Sequence, residues 1–122
     1  MALIKKFEDI IAWQEARKLV ADIYKLTSTG ALAKDFGLRD QIQRAAVSAM
    51  TNIAEGFDCE SKKEFARFLG IARRSAVEVQ SLLYAAFDVG YIDEQILKTE
   101  YQQTEKTKAI IGGLKHSITP RE

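Results

Sequence analysis

The sequence is poor in residues that interrupt helices or form cross-links. Its single proline, Pro120, lies two residues from the end, so no proline breaks a longer segment before it. The one cysteine, Cys59, has no partner in the chain for a disulfide, which is typical of a reducing cytoplasm. The chain contains no run of about 18 uncharged apolar residues. We therefore expect a cytoplasmic protein without a membrane span.

The chain also has almost no net charge. Its formal charge is +1 over 122 residues, and charges of both signs are spread evenly along it. Proteins that bind nucleic acid strongly and without sequence preference are usually basic. The near-neutral total argues against binding of that kind, and leaves room for a local basic patch.

Residues that carry catalysis or bind metal are scarce. His116 is the only histidine, and no spacing brings Cys59 or a serine beside it as a nucleophile. A di-metal carboxylate centre in a helical bundle would need Glu-x-x-His on two helices. No glycine-rich phosphate loop precedes a Lys-Ser or Lys-Thr pair. We therefore expect no enzyme activity, no metal and no cofactor.

Apolar residues recur at helical spacing along the whole chain, which predicts one all-α domain over residues 1–122. The predicted helices cover residues 8–27, 38–55, 62–89 and 93–117. Gly56 is expected to end the second helix, and Ser61 with Glu64 to form a capping box at the third. Asp93 is the expected N-cap of the fourth. Short connections favour an up-and-down antiparallel four-helix bundle.

The second predicted helix has apolar residues on two sides. Val47, Met50 and Ala54 point away from its main apolar stripe, and Arg44 and Glu55 lie in a polar row beside them. Both apolar sides of such a helix are usually covered, and in a small bundle a partner chain is the natural cover. These five residues are the predicted oligomer interface. The alternative is that small apolar residues simply tolerate exposure.

The third predicted helix carries a row of basic residues. Lys63, Arg67 and Arg74 lie within about 40° of one another, opposite the core stripe, and Arg73 lies to one side. Such a row can contact nucleic-acid phosphates, so these four residues are the candidate nucleic-acid-binding site. Two alternatives remain: a solvated face, or a row that pairs with acids of a neighbouring protomer.

One acidic residue, Glu100, falls on the apolar stripe of the fourth predicted helix. A buried carboxyl with a raised pKa can mark a functional site. The simpler expectation is an edge position at which Glu100 pairs with a lysine or arginine across the bundle.

Two segments in and directly after the second predicted helix have a distinctive sequence: Gln41–Ser48 reads Gln-Ile-Gln-Arg-Ala-Ala-Val-Ser, and Asn52–Phe57 reads Asn-Ile-Ala-Glu-Gly-Phe. In these segments the chain resembles the S23, or 23S rRNA intervening-sequence, family of four-helix-bundle proteins. The resemblance continues through Arg67–Leu69 and Gly90–Ile92. Within the second segment, we expect Asn52, Glu55 and Gly56 to form a structural motif.

The resemblance implies an up-and-down bundle that assembles into a five-membered ring and has no enzymatic activity. Some family members are encoded inside insertions in bacterial large-subunit ribosomal RNA genes. A related branch, the accessory variability determinants of diversity-generating retroelements, binds nucleic acid and a reverse transcriptase through a basic surface. This chain lacks the strong positive charge of that branch.

Together these observations predict a non-catalytic, homo-oligomeric adaptor, a homopentamer by the resemblance. Its expected partner is nucleic acid or a protein that binds nucleic acid. The alternative is a protein–protein scaffold ring that binds no nucleic acid.

Overall fold

Four long helices form the bundle in the computed structural model, which describes residues 4–119. A 3-10 turn at Phe7–Asp9 precedes the α-helices. The α-helices are α1 (Ile11–Leu26), α2 (Gly30–Lys34), α3 (Phe36–Asp58), α4 (Lys62–Asp88) and α5 (Glu94–Ile118). No strand occurs between residues 4 and 119. The all-α class predicted from the sequence is confirmed.

The helices pack as a closed square in which α4 lies between α3 and α5, and α1 contacts both α3 and α5. Neighbours run antiparallel. Ser48 of α3 meets Ser75 of α4, whereas Gly56, further along α3, meets Phe68, which is earlier on α4. This arrangement places the middle of α4 against two helices and leaves its remaining side to solvent.

The core consists of the predicted apolar stripes, buried in two layers along the bundle. One layer surrounds Leu19, Ile42 and Leu83, and the other surrounds Ile53 and Ile111. All five side chains are fully buried. Burial of a side chain of this size stabilises the fold by roughly 1.5–3 kcal/mol, so these layers supply most of the driving force.

Three helix starts are held by side-chain caps. Asp35, Ser61 and Asp93 each accept a hydrogen bond from the backbone amide three residues further on, at 3.1, 3.3 and 2.8 Å. The cap predicted at Asp93 is confirmed, and so is the Ser61 half of the predicted capping box. The other half is wrong, because the Glu64 carboxylate accepts from Arg67 instead of from the Ser61 amide. Asp35 was missed, and α3 consequently begins at Phe36, two residues before the predicted start. The second carboxylate oxygen of Asp35 accepts a 2.9 Å hydrogen bond from the Tyr91 hydroxyl.

Two local features near the start of the chain differ from the prediction. The first long helix begins at Ile11 because Ile10 is extended, and Phe7 in the preceding turn packs edge-on against Trp13 at 5.1 Å. The connection after α1 contains a further five-residue helix, α2, whose Leu32 is buried in the core. A single buried leucine gives too short a pattern for helical periodicity to reveal.

The prediction that Gly56 ends the second helix is wrong. α3 continues to Asp58, and Gly56 is buried inside it. A Cβ at this position would lie 2.5 Å from the Cβ of Phe68 and 3.1 Å from a ring carbon of Phe65. Gly56 is therefore required for the close approach of α3 and α4. The chain turns after Asp58 instead, with Glu60 in the left-handed region at φ 54°.

We expect Gly56→Ala to lower the free energy of unfolding by about 1–3 kcal/mol, since the added methyl group must push α4 away. The loss should appear although alanine is the better helix former. Urea denaturation of both proteins measures the difference.

Gly113→Ala is the matched control, because a Cβ at this helical position of α5 meets no atom within 4 Å. That variant should gain about 0.5–1 kcal/mol. A Gly56→Ala protein as stable as Gly113→Ala would show that α3 and α4 do not need their close contact.

Candidate functional site

The predicted basic row on α4 is exposed, but its members are not equivalent. Arg67 is paired: its Nη2 lies 3.1 Å from Oε1 of Glu64, and its Nε donates to both oxygens of the same carboxylate. Its guanidinium also lies 4.6 Å from the centre of the Phe68 ring. The hydrogen bonds from Arg67 hold the pKa of Glu64 below its ordinary value. Much of the charge of Arg67 is therefore offset within the chain.

The other three basic residues form no direct ion pair in the described part of the chain, although Lys63 helps to lower the pKa of Glu64 and Arg73 that of Glu105. No acidic oxygen among residues 4–119 lies within 4 Å of Lys63, Arg73 or Arg74. Arg73 reaches Gly112 of α5, whereas Arg74 lies back along α4 towards Gly70, which Lys115 approaches from the opposite helix. Lys115 is not among the residues predicted from the sequence, because it lies on α5 and the periodicity of one helix does not show which helix packs beside it.

The five predicted interface residues do not share one surface. Arg44 lines an open groove of about 630 Å³ between α3 and α4, which Glu78 also lines. Met50, Ala54 and Glu55 line a second groove, of about 500 Å³, beside the start of the chain. Arg44 and Glu55 are exposed, and neither forms an ion pair within residues 4–119.

The second groove is partly closed by the chain itself. Phe7 and Trp13 line it together with Met50, and all three pack against the core layer around Ile53 and Ile111. Val47 and Met50 are half-buried in the single chain. The side of α3 that we expected a partner to cover is thus covered in part by the N-terminal turn, and Ala54 remains at the open edge.

The Asn-Ile-Ala-Glu-Gly segment contains a directed chain of hydrogen bonds. Ser75 donates to the carbonyl of Ile71 at 3.0 Å, so the 2.8 Å contact between the Ser48 and Ser75 hydroxyls has Ser48 as donor. Asn52 then donates to the Ser48 hydroxyl at 3.0 Å and to its carbonyl at 2.9 Å. Half-buried Asn52 therefore fixes the Ser48 hydroxyl that links α3 to α4.

Three residues of the Asn-Ile-Ala-Glu-Gly segment have a structural role in the bundle. Ile53 is in the core, Gly56 permits the contact with α4, and Asn52 orders the polar link. Glu55 makes none of these internal contacts and is exposed at the groove edge. The segment combines helix packing with one solvent-facing residue.

Two glutamates on the α1–α5 side lie in opposite environments. Glu15 is buried, and its carboxylate is 2.7 Å from Nζ of Lys18 and 3.3 Å from Nζ of Lys106. The Lys18 hydrogen bond, with further help from Lys106, lowers the pKa of Glu15 against the opposing effect of burial. This arrangement ties α1 to α5 with a paired charge.

The expectation that Glu100 pairs with a basic residue is wrong. Its Oε2 is buried without a hydrogen-bond partner, and no lysine or arginine nitrogen in the described part of the chain lies within 4 Å of its carboxylate. Burial, and to a lesser extent the negative charge of Asp22, raises the pKa of Glu100. The position on an apolar stripe correctly indicated partial burial, but not the acidic neighbour.

Groups for catalysis remain dispersed. Cys59 and His116 are both exposed. Among residues 4–119, no three His, Cys, Asp or Glu side chains are grouped so as to hold a metal ion. No helix in this range is both long enough and apolar enough to cross a membrane.

The chain is similar to one family and to a solved structure. Residues 8–113 match the family described as 23S rRNA-intervening sequence protein. A solved protein of unknown function from the S23 ribosomal protein family of Bacteroides thetaiotaomicron superposes with a TM-score of 0.80, at 19% identity, over 87% of this chain and 96% of that one. None of the curated proteins compared with the chain matches it. The structural match supports the fold, and neither description indicates a catalytic family.

The two glutamates should give opposite effects on stability when neutralised. The raised pKa of Glu100 means that its favourable contribution exists in acid and is lost as the pH rises through the folded pKa. We expect Glu100→Gln to raise the free energy of unfolding near neutral pH, with the gain shrinking as the pH falls towards 4.5, the ordinary pKa of glutamate.

Glu15→Gln is the matched comparison. The lowered pKa of Glu15 stabilises the fold above the ordinary value, and that contribution is lost as the pH falls through the folded pKa. This variant should be less stable than the wild type near neutral pH, and the deficit should shrink in acid. Denaturation at a series of pH values tests both, and a destabilised Glu100→Gln protein at neutral pH would contradict the assignment.

Proposed function

This chain belongs to the family of 23S rRNA-intervening sequence proteins, and we propose that it is a non-catalytic adaptor that assembles with copies of itself and binds RNA. The observation that carries the proposal is the group of exposed cations on α4. Lys63, Arg73 and Arg74 have no acid within 4 Å among residues 4–119, in a chain whose net charge is only +1. Unpaired cations on one face are what phosphate binding requires.

Assembly is the step that makes so modest a charge effective. One chain offers only a few phosphate contacts, and each adds a small, salt-dependent increment of affinity. A ring repeats the same face in every protomer, so that contacts to one RNA molecule act together through effective concentration. The near-neutral total charge then limits binding to RNAs that can reach several protomers at once.

The surface proposed for assembly is the outer side of α3. Ala54 and Glu55 form the open edge of the groove completed by Phe7, Trp13 and Met50. This groove is apolar in its floor and has a carboxylate at its rim, which suits a contact that must exclude water and fix orientation. Arg44, about 16 Å along the helix from Glu55, lies far enough away to meet a different neighbour of a ring.

A ring predicts a mass several times that of one chain. We expect light scattering at micromolar concentration to report about five times 13.7 kDa. Ala54→Glu should lower the mass towards that of one chain, because it places a charge at the apolar edge of the contact.

Ala109→Glu is the control for that variant, since Ala109 is exposed on α5, away from the α3 groove. It should leave the mass unchanged. A wild-type protein that remains a monomer would exclude the ring, and a mass insensitive to Ala54→Glu would place the contact elsewhere.

RNA binding is tested by isotherms for structured RNA and for duplex DNA at several salt concentrations. We expect wild-type binding to RNA with a log–log salt slope of several units, since each phosphate contact contributes about −0.7 to −0.9. Arg73→Glu/Arg74→Glu should abolish it. The matched control, Lys34→Glu/Lys98→Glu, makes the same change in net charge at exposed lysines on other helices and should bind nearly as well.

Absence of wild-type binding at about 50 mM salt, where electrostatic affinity is near its strongest, would remove RNA from the proposal. An oligomer without RNA binding would instead favour a protein–protein scaffold, for which the apolar α3 groove is the supporting observation.

A further inference from the structure

Three cations meet where α4 packs on α5, on a floor made by two glycines. In the antiparallel pairing of these helices, Arg73 faces Gly112, and one turn away Gly70 faces Lys115. The Nε atom of Arg73 lies 3.4 Å from the point that a Cβ on Gly112 would occupy. Both Cε of Lys115 and Nη1 of Arg74 lie within 4 Å of the corresponding point on Gly70.

The glycines determine how these side chains lie. Arg73 crosses from α4 to α5, and Lys115 crosses in the opposite direction, from α5 to α4. Because Gly70 and Gly112 have no side chains, each aliphatic stem can lie flat across the boundary between the helices, leaving its charged end at the surface. The cationic groups are thereby held within about one helical turn of one another.

The charge of Arg73 contributes to the lowered pKa of Glu105, but that carboxylate already has two closer partners. Glu105 lies two turns before Gly112 on α5, and its Oε1 accepts a 3.0 Å hydrogen bond from Gln80 and lies 3.0 Å from Nζ of Lys108. None of the three cations has an acidic oxygen within 4 Å in the part of the chain that the structure describes. Arg73 and Arg74 are exposed and Lys115 is half-buried, so three positive charges lie together at this boundary without a direct ion pair within residues 4–119.

Arg67 provides the contrast within the same helix. It lies closer to the start of α4, and its guanidinium is both paired with Glu64 and stacked on Phe68. A phosphate would have to displace the Glu64 carboxylate before it could use the full fork of Arg67. The α4–α5 cluster has no such competitor among residues 4–119.

We propose that Arg73, Arg74 and Lys115 form the phosphate-binding centre of this protein, and that adjacent backbone phosphates of an RNA strand lie along the α4–α5 boundary. This inference rests on the proposed RNA binding and specifies its site. The arginine forks can each hold two phosphate oxygens, whereas Lys115 supplies a compact charge between them. Arg67 lies outside the centre and contributes little.

The test compares the loss of one positive charge inside the proposed centre with the loss of one positive charge outside it. Lys115→Gln and Arg67→Gln each remove one positive charge, and Arg73→Gln/Lys115→Gln removes two. With a single-stranded or structured RNA that the wild type binds, Lys115→Gln should lower the magnitude of the salt slope by about one, and the double variant by about two. Arg67→Gln should leave slope and affinity nearly unchanged.

If Lys115→Gln and Arg67→Gln lose equal RNA affinity, the proposed site is wrong, because equal losses would indicate a diffuse positive field. Wild-type-like binding by the double variant would also overturn it, while leaving RNA binding itself intact. If the wild type does not bind RNA, the proposed function fails and the site fails with it. Melting curves of all variants establish that the compared proteins are folded. If the double variant does not fold, the single variant Arg73→Gln replaces it, because Arg73 is exposed.

Discussion

The close contact between α3 and α4 at Gly56 sets the geometry of much of the bundle. The helices pass so near each other that a Cβ on Gly56 would lie 2.5 Å from the Cβ of Phe68. Two turns away, the same approach brings the Ser48 and Ser75 hydroxyls to 2.8 Å. Both helices also bury small side chains elsewhere, namely Ala45 and Ala49 of α3 and Ala72 and Ala76 of α4. A tight pair of this kind fixes the rotation of α4, and hence which of its residues face α5 and solvent.

The rotation of α4 in turn separates its arginines into different electrostatic environments. Arg67 is paired with Glu64 one turn earlier. Arg73 is carried to the boundary with α5, where glycine replaces any side chain that could shield it. The positive charge available to a partner therefore depends on how neighbouring helices pair. The sequence alone does not distinguish among the four basic residues of α4.

The sequence was sufficient for features that depend on local patterns. The apolar stripes predicted the buried faces, and the caps at Ser61 and Asp93 were recognised from their spacing. Gly56 was misread because a glycine after an apolar stripe has the same pattern whether it ends a helix or accommodates another helix. Likewise, the acidic neighbour of Glu100 and the basic neighbour of Arg74 come from other helices. Their identities depend on the pairing of those helices, which periodicity along one segment does not encode.

Asp35 has a consequence that extends beyond capping. One of its oxygens fixes the first turn of α3, and the other accepts from Tyr91 in the connection between α4 and α5, raising the pKa of that phenol. A single carboxylate thus joins two corners that are 56 residues apart in the chain. Neither corner can open alone without breaking a bond held by the other, so the backbone amides of both should exchange with solvent as one cooperative unit. The end of the bundle that contains the short helix α2 is then protected by this shared anchor as well as by its own small hydrophobic contact.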